Sequence, residues 1–238
     1  MKKIMFTACA AVVSVAVFTA CGNGSSSASK VSEEKVNGTA YAITRTTNET
    51  GTVVFGVKNG EEQVIPNDYA SMSYTHGYFL AGYDKMMAGV NLKGAALLDP
   101  QNGEEVITSD SISFNEEGGY FIGKGKQSGI ALFYPENKVG FYALRDYVIS
   151  GNIVLAKTYE GWGAYRNTAP NDTIIAPNDY TKIVLLDYGK KVEFLVPYEK
   201  GNWLKLDAKD EGVELLTAAQ AGKLKGWQKD AEAFVIKK

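Results

Sequence analysis

The chain is nearly devoid of thiol and imidazole: in 238 residues it has two cysteines, Cys9 and Cys21, and one histidine, His76. A zinc site draws on about four Cys, His or carboxylate ligands, so nitrogen–sulfur zinc coordination has too few donors here. Beyond Cys21 no thiol remains for a disulfide, a metal or nucleophilic catalysis. A Ser–His–Asp arrangement needs a nucleophile activated by an oriented base. No Gly-x-Ser-x-Gly surrounds any serine, and His76-Gly77 reads as a turn. Charge of one sign is scarce too, with 25 basic and 27 acidic residues dispersed along the chain. A nucleic-acid partner calls for a basic patch or stripe, and none is expected. Long helical periodicities are missing as well, which excludes a parallel α/β protein.

What is present begins at the N-terminus. Lys2 and Lys3 precede an uncharged stretch over residues 4–20, and the chain then turns abruptly small and polar (CGNGSSSASK). That is the layout of a secretory signal, with a basic start, an apolar middle and small residues at the cut. The apolar run sits near the lower limit of roughly 17–25 residues for a spanning helix, and it is diluted by Ala, Thr, Ser and Cys. Thr19-Ala20-Cys21 resembles the lipobox of bacterial lipoproteins, in the relaxed form of the Bacteroidetes type, with Phe18 where Leu is usual. The resemblance implies cleavage before Cys21 and lipidation of its sulfur. It also implies an extracytoplasmic protein held at the cell envelope, at the outer membrane if the cell is Gram-negative. Two or more acyl chains hold a protein stably where one does not, at about 0.8 kcal/mol per buried methylene. Removing residues 1–20 takes away Lys2 and Lys3 and no acid, so 23 basic residues then face 27 acidic ones.

Behind the lipidated Cys21, residues 21–38 are expected to form a flexible tether. Such a segment buries too little to offset its ordering entropy, and a Gly/Ser-rich chain of this length reaches about 20–25 Å. From Thr39 to Leu216 the texture changes to short runs such as TAYAITRTT, YFLAGY, GIALFY, NIVLAK and KIVLLDY, punctuated by Gly, Asn, Asp and Pro. β-branched and aromatic enrichment with frequent turn signals marks an all-β domain. Residues 217–238 form a C-terminal cap. Thr217 and Gln220 have capping-box spacing for one short helix, and 231–236 (AEAFVI) reads as a terminal strand.

The strands repeat. Ile65-Pro66-Asn67-Asp68-Tyr69 recurs as Ala176-Pro177-Asn178-Asp179-Tyr180, each preceded by an aromatic–Gly pair, Phe55-Gly56 and Trp162-Gly163. Two degenerate copies lie between them, over 89–112 and 129–149. Each copy leads to a glycine and a further strand, at Gly77, Gly119, Gly151 and Gly189. A period near 37 residues is what solenoids, propellers and hairpin arrays show. The expected architecture is an array of about four antiparallel β-hairpin repeats, an open solenoid or a small propeller-like fold. In it the prolines end strands, Asn-Asp makes a turn, and Tyr69, Tyr147 and Tyr180 bury their rings. Over about residues 52–206 these motifs resemble the WG-type β-repeat of bacterial secreted proteins. The resemblance implies architecture and carries over no catalytic residue.

Candidate chemistry is thin. Glu61-Glu62, Glu104-Glu105 and Glu116-Glu117 are the clustered carboxylates that a polysaccharide hydrolase would need, yet all stand beside turn residues. Asp99-Pro-Gln-Asn102-Gly103-Glu104 misses the spacing of a calcium loop. Gly123-Lys124-Gly125-Lys126 lacks the phosphate-loop frame. Trp162, Tyr165, Trp203 and Trp227 are the candidates for a groove that stacks on sugars or peptides, with Trp227 standing free in a Lys-rich end. The expected function is a non-enzymatic, cofactor-free, membrane-anchored scaffold that binds a protein or glycan at the envelope. A carboxylate-based hydrolase is the alternative.

Overall fold

The computed structural model describes residues 31–87, 90–168, 174–189, 191–207 and 212–237, so Cys21 and the N-terminal signal lie outside the described residues. The chain divides at Asp68 into two compact units. In the first, β1 (Ser32–Lys35), β2 (Tyr41–Thr47), β3 (Val53–Asn59) and β4 (Glu62–Tyr69) form one sheet in that order. The expected tether is thus shorter than residues 21–38. Ser32 to Lys35 pair antiparallel with Arg45 to Ala42, and Lys58 Nζ meets Glu33 Oε1 at 2.9 Å. Composition misjudged this segment because an edge strand exposed at every residue is held by its backbone ladder and not by buried side chains.

The second unit contains four more sheets. The second sheet is β5 (Ser71–Thr75), β6 (Tyr78–Met87), β7 (Val90–Leu98) and β8 (Glu105–Ser109). The third is β9 (Ser111–Asn115), β10 (Tyr120–Gly125), β11 (Gly129–Tyr134) and β12 (Val139–Leu144). The fourth is β13 (Asp146–Ser150), β14 (Ile153–Lys157), β15 (Trp162–Arg166) and β16 (Ile174–Tyr180). The fifth joins β17 (Ile183–Asp187), β18 (Val192–Pro197), β19 (Trp203–Leu206) and β20 (Gly212–Leu216). In it β21 (Ala233–Lys237) returns to pair parallel with β17. The short helix α1 (Ala218–Gly222) carries the reciprocal capping box between Thr217 and Gln220.

The fold is all-β and repeat-built, and the repeat is out of phase with the sheets. A sequence unit starts on the third strand of one sheet, runs through the fourth, and supplies the first two strands of the next. Four sequence units therefore run from β3 to β18, supplying the last two strands of the first sheet, all of the next three and the first two of the fifth. The glycines Gly77, Gly119, Gly151 and Gly189 all sit in the turn between first and second strands, with φ between 56° and 83°, where a Cβ is penalised. The second strands β10 and β14 carry apolar runs that pack on both faces, Phe121 and Ile122 into the cores on either side of the third sheet and Val154 and Leu155 into those on either side of the fourth.

Consecutive sheets of the second unit share cores. Leu97 and Ile107 of the second sheet pack with Phe121 and Phe133 of the third. Leu132 and Phe141 of the third pack with Val154 and Ala156 of the fourth. Leu155 and Trp162 of the fourth meet Leu185 and Phe194 of the fifth. The far face of the fifth sheet is closed by the C-terminal segment, with Phe234 and Ile236 against Val184 and Leu195. Four-stranded antiparallel sheets packed face to face in succession are the construction of propeller blades.

Pro66 and Pro177 do not end their strands, as expected from sequence, but lie inside β4 and β16. Both are fourth strands at a sheet edge, where a missing donor costs no ladder bond. Asn67 and Asn178 likewise stay within the strand. Each folds its side chain over the aromatic-pair glycine of the neighbouring third strand. A Cβ on Gly56 would fall on Asn67 Oδ1 and 2.6 Å from Ile65 O, and one on Gly163 on Asn178 Oδ1 and 2.9 Å from Ala176 O. The asparagine oxygen is held in turn by Thr44 Oγ1 in one copy and by the Tyr165 hydroxyl in the other. The aromatic–Gly and Pro-Asn-Asp-Tyr halves of the repeat thus form one interlocked contact.

Candidate functional site

A recess of about 730 Å³ in the second unit opens where the third and fourth sheets meet, at the ends of strands β10 to β12. Its wall includes Lys124, Lys126, Ser128, Leu144, Arg145 and Tyr159. Strand periodicity places Lys124. Tyr120 and Ile122 point into the core shared with the fourth sheet, and Lys124 continues that row past the apolar layer to the rim. Lys126 opens the β10–β11 turn, whose backbone N–H donates to Asp110 Oδ2 at 2.9 Å. Arg145 links β12 to β13, and its N–H donates to Lys157 O at 2.7 Å.

A bulge sets the angle of that link. Pairing between β11 and β12 shifts between Ile130 and Leu132, and Ala143 is held at a φ of 56°. Gly129 is the residue that permits it, since a Cβ there would lie 2.6 Å from Leu144 O. A bulge of this kind bends the strand and re-aims the side chains after it. The Arg145 guanidinium then lies 3.8 Å from the centre of the Tyr159 ring, and the ring itself is 77% exposed. Among the described residues, no carboxylate comes within ion-pair distance of Lys124, Lys126 or Arg145. A second recess of about 410 Å³ adjoins the first through Asp110, Lys126, Gln127 and Ser128. Its cation, Lys93, is already paired with Asp84 at 2.9 Å. The site therefore offers three unpaired cations and one exposed aromatic ring around a single acid that is engaged by backbone.

The four aromatics expected from sequence to form a stacking groove do not share a surface. Trp162 is 2% exposed within the core between the fourth and fifth sheets, and its Nε1 donates to Glu232 Oε2 at 3.0 Å. Tyr165 is half-buried against the neighbouring core with its hydroxyl on Asn178. Trp203 and Trp227 meet edge to face at 4.9 Å and pack on the fifth sheet. Trp227 is not free, because the returning strand brings Phe234 against its other side at 5.5 Å.

The clustered glutamates lie at turns. Glu105 accepts from Thr108 Oγ1 at 2.9 Å, and Glu116 stands 3.4 Å from His76 Nε2. His76 is at the β5–β6 turn and stacks on Phe114 at 3.5 Å. In the 99–104 loop the acceptors are spent on the chain itself, Asp99 Oδ1 on the N–H of Gln101 and Asn102 Oδ1 on the N–H of Glu104. No group of three or more His, Cys, Asp or Glu side chains gathers among the described residues.

Lys124 and Lys126 stood in the sequence as Gly123-Lys124-Gly125-Lys126, set aside for lacking a phosphate-loop frame. Their signal was a pair of lysines, one near the end of a strand that begins apolar and one just past it. Arg145 and Tyr159 carried no signal of their own.

No protein-family model and no curated protein matches the sequence. Among solved structures the chain is similar to apo AztD from Citrobacter koseri, at 12% identity and a TM-score of 0.27, covering 79% of this chain and 59% of that one. It is similar to BamB from Moraxella catarrhalis at 10% identity and a TM-score of 0.27, covering 79% and 73%. A eukaryotic initiation factor aligns at 9% identity and a TM-score of 0.30, over 82% and 67%. The chain thus spans 59% of the length of AztD.

Proposed function

We propose that the protein is a lipid-anchored, extracytoplasmic, non-enzymatic scaffold that binds a partner at the cell envelope through the basic recess between its third and fourth sheets. One observation carries this reading: Lys124, Lys126 and Arg145 converge beside the exposed ring of Tyr159 and are neutralised by no acid of the described chain. Convergent unpaired cations at a concave surface attract an acidic partner and steer its approach. An exposed tyrosine next to an arginine is a common composition for a contact centre. The anchor rests on Thr19-Ala20-Cys21, and among the described residues no helix is long and apolar enough to cross a membrane.

Two measurements test the reading together. Cells fed an alkyne-labelled fatty acid should label the full-length chain and fail to label Cys21→Ser. Cross-linking in the same intact cells should trap a partner that is lost in the Lys124→Ala/Arg145→Ala variant. Hydrolytic turnover of a glycan or peptide panel that disappears with Lys124 and Arg145 would replace the scaffold reading with an enzymatic one.

A further inference from the structure

The molecule contains a worked example of what such a recess holds. At the junction of the fourth and fifth sheets, Lys157 ends β14, and Lys124 stands next to the end of β10. The register makes them equivalents, since Lys157 lies opposite Asp146, the first residue of β13, and Lys124 lies opposite Ser111, the first residue of β9. Each faces the following sheet, Lys157 in the row of Ile153 and Leu155, and Lys124 in the row of Tyr120 and Ile122. Each also stands across from the next strand's core residue, Trp162 for Lys157 and Ile130 for Lys124. A cation also precedes the first strand of the following sheet, Lys182 before β17 and Arg145 before β13, but Lys182 Nζ donates to Lys229 O at 3.2 Å and leaves the carboxylate to Lys157.

At the fourth–fifth junction the occupant is the chain's own C-terminal segment. The Glu232 carboxylate is held by Lys157 Nζ and by Trp162 Nε1, while Glu232 O accepts the N–H of Ile183 at 2.8 Å. The residues after it, Ala233 to Lys237, run as β21 parallel along β17. Occupancy leaves a clear mark on the strand that receives it. β17 is buried at four of its five positions, whereas β5, β9 and β13, the first strands of the other sheets of this unit, have no fully buried residue. β9 and β13 are sheet edges with one side of their backbone unpaired by any described strand, and β21 lies near β13 without pairing to it. An open edge of this kind is a template for another strand.

Charge separates the two edges. Ahead of β9 the equivalent positions are Gly82 and Asp110, which offer an acidic segment nothing and repel it. Ahead of β13 they are Lys124 and Arg145. We infer that β13 accepts an extended segment of a partner protein, parallel to it and led by an acidic residue whose carboxylate Lys124 holds beside Arg145, as Lys157 holds Glu232 at the head of β21 one sheet further on. The inference rests on the scaffold reading above and gives it a partner chemistry: a carboxylate followed by a short apolar strand. Asp146 does not oppose it, because the alternation of β13 turns Tyr147 and Ile149 toward the third sheet and Asp146 away from it.

The test uses the full-length chain in detergent and a fluorescein-labelled peptide copying Asp230–Lys237, read by anisotropy and by backbone hydrogen exchange. Binding should slow exchange at β13. Because hydrogen bonds to charged groups are the stronger ones, the Lys124→Ala/Arg145→Ala variant should bind about tenfold or more weakly. The same loss should follow when the glutamate of the peptide becomes Gln, and a proline at the peptide's Val235 position should abolish binding. A peptide that protects β17 and is lost with Lys157→Ala has exchanged into the fifth sheet, which overturns the inference. So does binding that survives both the glutamine and the proline peptides, or no binding at all. An envelope partner whose cross-link is lost with Lys124→Ala/Arg145→Ala, while the peptide fails to bind at β13, would remove this inference and leave the scaffold standing. Peptide binding at β13 with no partner trapped in cells would remove the scaffold instead.

Discussion

Substituting Gly163 by alanine tests the interlock at the centre of the repeat. The added Cβ lands on Asn178 Oδ1 and 2.9 Å from Ala176 O. The first is a side-chain atom that can turn away; the second is backbone of an adjacent strand that cannot. Overpacking of this kind costs typically 1–3 kcal/mol, and Gly163→Ala belongs toward the upper part of that range because both obstacles act. Asn178→Ala removes the side-chain obstacle but leaves the half-buried Tyr165 hydroxyl without its acceptor, a loss of about 0.5–1.5 kcal/mol. The double variant should therefore be less destabilised than the two single variants together, by about 1 kcal/mol, within the range that contacting residues show. Urea unfolding followed by tryptophan fluorescence reads the three midpoints, with equal slopes required for the comparison. A cycle that closes to within about 0.5 kcal/mol, the scatter of independent sites, would refute the idea that the two halves of the repeat are joined through this contact.

Two further outcomes follow from the fifth sheet. Phe194 is fully buried between the fourth and fifth sheets, so Phe194→Ala should cost about 3–5 kcal/mol by calorimetry, and a loss under about 1 kcal/mol would contradict that packing. Burial pushes the Glu193 carboxyl up, but hydrogen bonds and charge from Lys191 and Lys205 outweigh it and hold the group below its ordinary value. A carboxylate depressed by folding stabilises above its unfolded pKa, near 4.5, and loses that contribution as the pH falls through the lower folded value. Glu193→Gln should accordingly be less stable than the parent at pH 7, with the gap narrowing as the pH drops below about 4.5; a gap that widens in acid would reverse the sign of the argument.

What was legible in the sequence was local. The turn glycines at 77, 119, 151 and 189 stand where positive φ is needed whatever surrounds them, and short β-branched and aromatic runs between turn residues mark the strands. The capping box at Thr217 needs only four consecutive residues. What stayed hidden depends on register. The role of Asn178 follows only once β16 is laid beside β15 with its irregular pairing at Trp162 and Ala164, so Pro-Asn-Asp looked like a turn. β1 was hidden because its ladder leaves no mark on side-chain chemistry. The phase of the repeat misled in a similar way, since a unit cut at its most visible motif, Trp-Gly, falls in the middle of a sheet. The basic recess is assembled from a strand end, a turn and a link on two sheets, and chain spacing cannot bring Lys124, Arg145 and Tyr159 together. Trp162 looked like a ligand platform because an indole serves equally well as a core filler, and only burial decides between them.

The parallel return of β21 also carries a kinetic consequence. Each of the other four sheets is completed by strands that follow one another directly, so each can close as soon as its own segment is free to fold. The fifth holds its first strand open until the chain beyond β20 and α1 has come round to it, and pairing across such a separation has its closure entropy to overcome before any contact rewards it. The sheets should then settle in chain order, with Trp162 and Lys157 sealed last by the arrival of Glu232.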